Sequence, residues 1–403
     1  MRLESPWRAG RGVTLLFGLA VSAVAGDAPV VFEAETIDDH VEIGYGTAIG
    51  DVDGDGLPDI LLADKKQFVW YRNPDWERHV IAENLTTRDN VCIAARDIDG
   101  DGKVEVAVGA EWNPGDTVGS GAVFYLDPPA DRTEMWTPIR LHHEPVVHRM
   151  RWVKLDEDEY VLVVAPLHGR GNRDGEGAGV KLLAYERPED PHDEWATTTI
   201  ENTLHVTHNL DPVQWDPTTP AEEILYLGRE GGMLLSYDDG DWSKRAFEGM
   251  KGGGEIRMGL HSPSSPFVVT IEPLHGETLA YYESSFDRGN ARGGHTALTR
   301  RVVLDDNLKQ GHAIAIADLF GTGSQQIVAG WRNPNRDGKV GIKLYYPTNE
   351  QATEWASMAI DDDTMATEDV RIGDLNADGR PDIVAAGRST HNLKIYWNRG
   401  PRP

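Results

Sequence analysis

Residues 51–63 read DVDGDGLPDILLA, an acidic, glycine-rich turn that runs directly into a short apolar strand. Close copies read DIDGDGKVEVAVG from Asp97 and DLNADGRPDIVAA from Asp374. Weaker copies on the same frame start at Lys154, Gln214, Gly259 and Asp318. The seven starts lie 45 to 60 residues apart, which is the size of one four-stranded propeller blade with loop insertions. The sequence therefore predicts an all-β fold, a seven-bladed β-propeller with four strands in each blade.

The two ends of the chain are predicted to meet in one blade. The last repeat stops after its third strand, near Asn398, so one strand is missing there. Residues 31–40, VFEAETIDDH, have the pattern of an outermost strand and precede the first repeat. Pairing this N-terminal strand with the C-terminal segment completes the last blade and leaves no unpaired inner edge. We therefore expect residues 26–403 to form one propeller domain.

Residues 1–25 differ in character from the repeats. Arg8 and Arg11 come just before the apolar run GVTLLFGLAVSAVA, which ends on small residues. This pattern is typical of a cleaved signal peptide, and the run is too short to span a bilayer. We therefore expect a secreted or periplasmic protein without membrane insertion. The net charge of −27 argues against nucleic acid as a partner, and the single Cys92 permits no internal disulfide. The sequence leaves the oligomeric state open.

The acidic turns carry oxygen ligands at alternate positions. The three best copies offer Asp51, Asp53, Asp55 and Asp59; Asp97, Asp99, Asp101 and Glu105; and Asp374, Asn376, Asp378 and Asp382. Such spacing suits Ca²⁺, and about three structural calcium sites are predicted. An EF-hand is rejected because loop position 12 is Leu62, Val108 or Ala385 and the flanking segments are strands. The alternative is that these acids are solvated turn residues without an ion.

A second set of polar residues falls on one ring of the predicted propeller. Six residues before each turn, the innermost strands begin at Tyr45, Val91, His148, His208, Gly253, His312 and Glu368. These positions surround the channel mouth on the face opposite the calcium turns. The second strands end on the same face and carry His168, Arg229, His275, Arg332 and Arg388. Convergence of such side chains at one mouth is typical of an active site.

The residue types at this mouth limit its chemistry. No Ser or Cys nucleophile lies on the ring, whereas histidines carry protons and arginines stabilise anions. This set suits removal of a proton next to a carbonyl or carboxylate, followed by loss of a β-oxygen. The predicted catalytic residues are His148, His168, His208 and Arg229. The predicted substrate-binding residues are Tyr45, His275, Arg332 and Arg388. Alternatively or in addition, His208, His312 and Glu368 are predicted ligands of Zn²⁺ or another divalent metal.

The repeats resemble FG-GAP or VCBS-type propeller repeats. In addition, residues 311–347, GHAIAIADLFGTGSQQIVAGWRNPNRDGKVGIKLYYP, resemble the propeller of the aldos-2-ulose dehydratase family, which eliminates water from keto-sugars. The pairing of His148 with His168 is similar to two histidines of seven-bladed ulvan lyases, which cleave uronate polysaccharides. Where those lyases have Tyr and Arg, this chain has His208 and Arg229.

These resemblances imply metal-assisted β-elimination on a carbohydrate. The reaction would be dehydration of a keto-sugar or cleavage of an oxidised or uronic glycoside. The alternative is a non-catalytic, calcium-stabilised extracellular propeller that binds carbohydrate or protein.

Overall fold

The computed structural model describes residues 29–262, 265–284 and 296–401. The predicted signal peptide, residues 1–25, lies outside these residues. The described part of the chain consists of strands and turns without a helix, so no helix there has the length and apolar character that crossing a bilayer requires.

Each blade is an antiparallel sheet in which strands A, B, C and D follow one another from the channel outwards. The chain begins with β1 (Phe32–Asp38). Blade 1 contains β2 (Gly46–Gly50), β3 (Asp59–Ala63), β4 (Gln67–Arg72) and β5 (Glu77–Glu83). Blade 2 contains β6 (Cys92–Arg96), β7 (Glu105–Ala110), β8 (Ala122–Asp127) and β9 (Thr137–Leu141). Blade 3 contains β10 (Val147–Asp156), β11 (Glu159–Pro166), β12 (Leu182–Glu186) and β13 (Ala196–Glu201).

The remaining blades follow the same order. Blade 4 contains β14 (Thr207–Val213), β15 (Glu223–Gly228), β16 (Gly231–Asp238) and β17 (Asp241–Glu248). Blade 5 contains β18 (Glu255–Ser262), β19 (Ser265–Glu272), β20 (Thr278–Ser284) and β21 (Thr296–Asp305). Blade 6 contains β22 (Gly311–Ala317), β23 (Gln326–Trp331), β24 (Gly341–Pro347) and β25 (Trp355–Asp362). Blade 7 contains β26 (Thr367–Gly373), β27 (Asp382–Gly387) and β28 (Asn392–Asn398).

The predicted closure of the ring is confirmed. Strand β1 pairs antiparallel with β28, with Phe32 opposite Asn398 and Thr36 opposite Lys394. The N-terminal strand is therefore strand D of blade 7. The seven A strands contact one another in sequence around the ring, from β2 through β26 and back to β2. The seven-bladed, all-β propeller predicted from the repeats is confirmed.

Apolar side chains of neighbouring blades pack face to face and form the core. Between blades 1 and 2, for example, Phe68 and Trp70 pack with Val106, Val108 and Phe124. These residues alternate along their strands, so one face of each sheet contacts the preceding blade and the other the following blade. The backbone of the A strands is fixed from both sides by this packing, which holds the channel-facing side chains in place.

Candidate functional site

A β-bulge occurs at the start of strand A in four of the blades. The pairing of strands A and B passes over the bulge residues His148, His208, His312 and Glu368. A bulge leaves one residue unpaired and redirects its side chain. These four side chains are buried, with relative exposures of 1 to 4%. The ring that the sequence predicted is thus built from a repeated backbone irregularity.

Blade 5 differs from its neighbours at this position. Glu255 pairs with Ile271, so the ring residue is Gly254 and the predicted Gly253 is wrong by one position. Strand β18 ends at Ser262 and β19 begins at Ser265, so the sequence leaves two residues between them instead of an acidic loop, which shifts a count made backwards from the repeat. A Cβ atom on Gly254 would lie 3.2 Å from the backbone nitrogen of His275 and 3.6 Å from His208 Nδ1. The missing side chain therefore makes room for His275, which comes from the turn after β19.

His148, His208, His275 and His312 form a group that we call the histidine cluster. The ring centroids of His208 lie 4.3 Å from His148, 4.4 Å from His275 and 5.0 Å from His312. The rings of His275 and His312 stack at 4.9 Å. Four different blades contribute one imidazole each, so the cluster exists only in the closed ring.

Backbone carbonyls fix the tautomers of three of these histidines. Nδ1 of His148 lies 3.0 Å from the His208 carbonyl, and Nδ1 of His208 lies 3.1 Å from the Gly254 carbonyl. Nδ1 of His312 lies 2.6 Å from the Glu368 carbonyl. A carbonyl only accepts hydrogen bonds, so each Nδ1 carries the proton and donates it. In His208 and His312 the lone pair on Nε2 is therefore available to another ligand. In His148, Nε2 lies 3.3 Å from the Arg149 guanidinium.

Burial keeps the histidine cluster uncharged. Desolvation lowers the pKa of His148, His208 and His312 well below the usual value, and nearby Arg149 or Arg332 lowers it further. The pKa of His275 falls to about 2, again chiefly through burial and then through His208. Neutral imidazole is the form that binds metals and accepts protons. The cluster is therefore in its binding-competent form at neutral pH.

Three members of the cluster present a donor set that fits a metal ion. The candidate ligand atoms of His208, His275 and His312 lie within 4.8 Å of one another. Nε2 of His275 is 2.6 Å from Nε2 of His208. Tetrahedral Zn²⁺ with Zn–N bonds of about 2.0–2.1 Å would hold two ring nitrogens roughly 3.3 Å apart, so this pair would separate by less than about 1 Å. Oε1 of Glu255 lies 3.0 Å from His208 Nδ1 but accepts no hydrogen bond, while Nδ1 donates to the Gly254 carbonyl.

Glu368, predicted as a further metal ligand, is engaged elsewhere. Its carboxylate accepts two hydrogen bonds from Arg332, at 2.9 and 2.8 Å, and one from Arg388 at 3.0 Å. Its Oε1 is 3.9 Å from His312 Nε2. The structure thus groups His275 with the other two histidines, and Glu368 with the arginines.

The arginines at this face extend the site towards blade 1. The Arg388 guanidinium lies 5.4 Å from the Tyr45 ring centroid, and the Tyr45 hydroxyl donates to Asp89 at 3.1 Å. Burial raises the pKa of Tyr45 well above its usual value, with Asp89 as the next cause, so the phenol stays protonated. Arg332 and Arg388 therefore both bind Glu368, and Tyr45 is a neighbour of Arg388.

His168 and Arg229 form a separate pair on blades 3 and 4. In the described part of the chain His168 shares no ring contact with the histidine cluster, and its buried Nδ1 has no hydrogen-bond partner. Burial lowers the pKa of His168, and Arg229 lowers it further. Arg229 donates to the carbonyls of Asp174 and Gly175 at 2.8 and 2.9 Å, which fixes its guanidinium. The predicted pairing of His168 with His148 is not a contact in the structure.

The sequence analysis missed two neighbours of the cluster. The Trp112 ring centroid lies 5.0 Å from that of His148 and covers this imidazole. Glu255 comes directly after Gly254, the ring residue of blade 5, and so lies one residue outside the positions that the register selects. Trp112 lies after the end of strand B of blade 2, where no repeat pattern distinguishes it.

The opposite face of the ring carries the acidic turns. Asp51, Asp53 and Asp59 have carboxylate oxygens within 4.8 Å of one another, as do Asp97, Asp99 and Asp101. In the third turn, Asp374 accepts the backbone N–H groups of Asp378 and Gly379 at 3.1 and 2.8 Å, Asp378 pairs with Arg380, and Asp382 accepts the Asn398 N–H at 2.8 Å. Calcium at these turns stays a prediction.

The last acidic position of each turn has a clear architectural function. It accepts a backbone N–H from the turn: Asp59 from Val52, Glu105 from Ile98, Glu223 from Trp215, Gln326 from Leu319 and Asp382 from Leu375. Burial raises the pKa of Asp59, Glu105 and Glu223 to about 7. The neutral amide of Gln326 serves equally, so the position requires an acceptor more than a charge.

Comparisons with known proteins first define the class. The family model described as FG-GAP-like repeat matches residues 51–108. A chain in the crystal structure of a mitotic checkpoint complex superposes with a TM-score of 0.54 over 98% of both chains, at 11% identity. A chain from the BBS1N–ARL6DN complex gives a TM-score of 0.55 over 92% of this chain and 97% of that chain, at 12% identity. This protein is therefore a β-propeller with FG-GAP-like repeats.

A second family model matches a longer stretch of the chain than the repeat model does. The family model described as aldos-2-ulose dehydratase, beta-propeller domain, matches residues 120–285. Aldos-2-ulose dehydratase of Phanerodontia chrysosporium is 24% identical over 231 residues, which are 52% of this chain and 25% of that enzyme. The predicted resemblance to the aldos-2-ulose dehydratase propeller is confirmed, although the family model matches residues 120–285 and not the stretch 311–347 from which the resemblance was predicted. The family match spans His148, His168, His208, Arg229 and His275. The similarity is distant and partial, because the aligned part of this chain spans about a quarter of that enzyme's length.

Proposed function

We propose that this chain is a carbohydrate carbon–oxygen lyase that acts by β-elimination at the histidine face of its channel. The observation that carries the proposal is the histidine cluster, in which four blades bring neutral imidazoles together and the candidate ligand atoms of His208, His275 and His312 lie within 4.8 Å of one another. The similarity to aldos-2-ulose dehydratase supports the substrate class, a keto-sugar or an oxidised or uronic glycoside.

His208, His275 and His312 are the residues that would hold Zn²⁺ or another divalent cation. Such a cation supplies positive charge to a carbonyl oxygen of a substrate. His148 has a positioning role in this proposal, because its two ring nitrogens already face the His208 carbonyl and Arg149. It fixes the backbone from which His208 projects.

His168 is the proposed proton carrier. Its neutral imidazole would remove a proton from the carbon next to the substrate carbonyl. The electrons of that C–H bond form a carbon–carbon double bond, and the bond to the β-oxygen breaks. Protonated His168 returns its proton to the departing oxygen, which leaves as water or as a sugar hydroxyl. The fixed guanidinium of Arg229 stabilises the negative charge that develops, and Tyr45, Arg332 and Arg388 bind substrate hydroxyl or carboxylate groups.

The test is an elimination assay with His168→Asn. The purified chain, loaded with Zn²⁺, is incubated with a panel of keto-sugars and uronates, and the conjugated product is followed by ultraviolet absorbance. We expect kcat of the variant to fall by about 10²–10⁴-fold, the usual contribution of a general base. His192→Asn, a change at an exposed histidine outside the site, should leave kcat unchanged.

The pH profile sharpens this assay. A base must be deprotonated to act, so activity is complete above its pKa and is lost as the pH falls through it. Because the pKa of His168 is lowered, the acid limb of kcat/KM should have its midpoint below 6.5. An unchanged profile in His168→Asn, or no product from any keto-sugar or uronate, would favour a carbohydrate-binding propeller instead.

Export and calcium binding are parts of the same proposal. Residues 1–25 would be removed on export, and N-terminal sequencing of the mature protein checks this: a mature chain that retains them contradicts it. Ca²⁺ would bind the turns that begin at Asp51, Asp97 and Asp374 and stabilise the fold without taking part in the reaction.

A further inference from the structure

The channel contains a cavity at the turn face, separate from the histidine cluster. Its volume is about 420 Å³. Three residues beyond each ring position, the A strands contribute a layer of side chains to its wall: Ala48, Ala94, Arg151, Asp211, Arg257, Ala315 and Arg371. The alanines of blades 1, 2 and 6 leave the space, and blades 3, 5 and 7 contribute arginines.

The three arginines adopt the same arrangement. Each donates from a terminal nitrogen to the carbonyl of the residue before it, at 2.7 Å: Arg151 to Met150, Arg257 to Ile256 and Arg371 to Val370. A guanidinium has five N–H donors, so several donors of each remain for a molecule in the cavity. The repeated geometry holds the three groups against the wall as a preformed set.

The cavity wall carries more positive than negative charge. Arg371 pairs with Asp369 at 2.7 Å, and Arg257 lies 3.7 Å from Asp211 and 3.8 Å from Glu255. Arg96 pairs with Glu222 at 2.8 Å. Arg151 has no ion pair in the described part of the chain, and its only side-chain hydrogen bond goes to Met150. Four arginines and two carboxylates, Asp211 and Glu222, thus line the cavity, inside a protein whose net charge is −27.

Electrostatic repulsion in the cavity agrees with this charge count. Burial, and after it the neighbouring guanidinium groups of Arg371 and Arg257, lower the pKa of Arg151 to about 9. An anion between the three groups would relieve both the desolvation and the repulsion. Guanidinium groups match oxyanions in shape and charge because they donate parallel hydrogen bonds to two oxygens.

We propose that the three arginines Arg151, Arg257 and Arg371 form a binding site for a small oxyanion in the turn-face cavity. The ligand carries a phosphate, sulfate or carboxylate group. A volume of about 420 Å³ lies within the usual range for small-ligand sites and accommodates either an inorganic ion with water or one acidic monosaccharide. The site does not share a residue with the histidine cluster, so it is independent of the proposed elimination.

Calorimetric titration of the full chain tests the site. The probes are inorganic phosphate, sulfate and D-glucuronate, with D-glucose and sodium chloride of equal ionic strength as controls. Saturable binding of at least one oxyanion and none of glucose is expected. Binding of phosphate or sulfate alone identifies an inorganic ligand, whereas binding of glucuronate at least as tightly identifies an acidic sugar.

Two variants connect the binding to the cavity. Arg151→Gln should weaken oxyanion affinity at least about tenfold, since a charge-assisted hydrogen bond is lost. Ala315→Leu keeps every charge but fills the cavity, so it should also weaken binding. It provides the test if Arg151→Gln does not fold. Arg140→Gln, an exposed change on blade 2, is the matched control and should bind as the wild type does. No saturable oxyanion binding by the wild type, or unchanged affinity in both cavity variants, overturns the proposal.

Discussion

The two faces of this propeller use buried ionisable groups for different purposes. At the turn face, the oxygens of Asp59 and Glu105 accept backbone N–H groups, so these carboxylates are consumed by the architecture. At the histidine face, backbone carbonyls bind only Nδ1 of His208 and His312, so no backbone group occupies Nε2, which in His208 lies 2.6 Å from Nε2 of His275. Buried polar groups are normally satisfied by the fold. Ligand atoms that the fold leaves available therefore distinguish a functional face from a structural one.

The largest expected effect breaks the histidine face. His275→Ala removes one of three ligand atoms, so the affinity for Zn²⁺ should fall at least about 100-fold. Titration of the metal-free protein with Co²⁺, whose visible spectrum reports tetrahedral coordination, measures this loss independently of activity.

His192→Ala is the matched control for this prediction and should bind metal like the wild type. The thermal stability of His275→Ala should stay close to that of the wild type, since this side chain is only partly buried. Equal Co²⁺ affinity in both variants would mean that the histidine cluster is packing rather than a metal site.

The next effect concerns the turn face. If calcium binds the acidic turns, Ca²⁺ at 100 times its dissociation constant should add about 2.7 kcal/mol to the free energy of unfolding. Asp53→Asn should reduce this gain, because Asp53 is close to Asp51 and Asp59. Asp318→Asn, in the degraded turn of blade 6, should not. Denaturant unfolding with and without a chelator measures the gain. A free energy of unfolding that does not change with calcium in the wild type, Asp53→Asn or Asp318→Asn contradicts the calcium sites.

A smaller effect separates acceptor from charge at the turn face. Glu105→Ala leaves the Ile98 N–H unsatisfied and should cost about 1–3 kcal/mol in the absence of calcium. Glu105→Gln keeps an acceptor, as Gln326 does in blade 6, and should cost less than about 1 kcal/mol.

The pH dependence of the same two proteins gives the sign of the charge effect. Because the pKa of Glu105 is raised to about 7, the folded state takes up this proton before the unfolded state does. Glu105 therefore adds stability as the pH falls from about 8 to 5, with a slope of at most about 1.4 kcal/mol per pH unit. Glu105→Gln should lack this gain. Identical pH slopes in wild type and Glu105→Gln would show that the carboxyl titrates normally.

The sequence was a sufficient guide to the fold because each blade repeats a local signal. The acidic turn of blades 1, 2 and 7 marks the junction of strands A and B, and the missing strand after Asn398 predicted the closure by β1. The register failed in blade 5, where the sequence before Ser265 carries no acidic signal.

The candidate site was harder to predict because it depends on contacts between blades. The ring position of His148, His208 and His312 follows from the repeat, and their proximity is what a closed ring requires. The approach of His275 depends on the absent side chain of Gly254, which no periodicity reveals. The engagement of Glu368 by two arginines likewise follows from side-chain reach across blades rather than from spacing.

The most direct test of the account is an anomalous difference map from crystals of the full chain grown with Zn²⁺, measured at the zinc edge. The proposed metal site predicts a zinc peak between Nε2 of His208, His275 and His312, with Zn–N bonds of about 2.0–2.1 Å. A map with zinc only at the acidic turns, and none among these three nitrogens, would contradict the proposal that the histidine face is a metal-binding catalytic site.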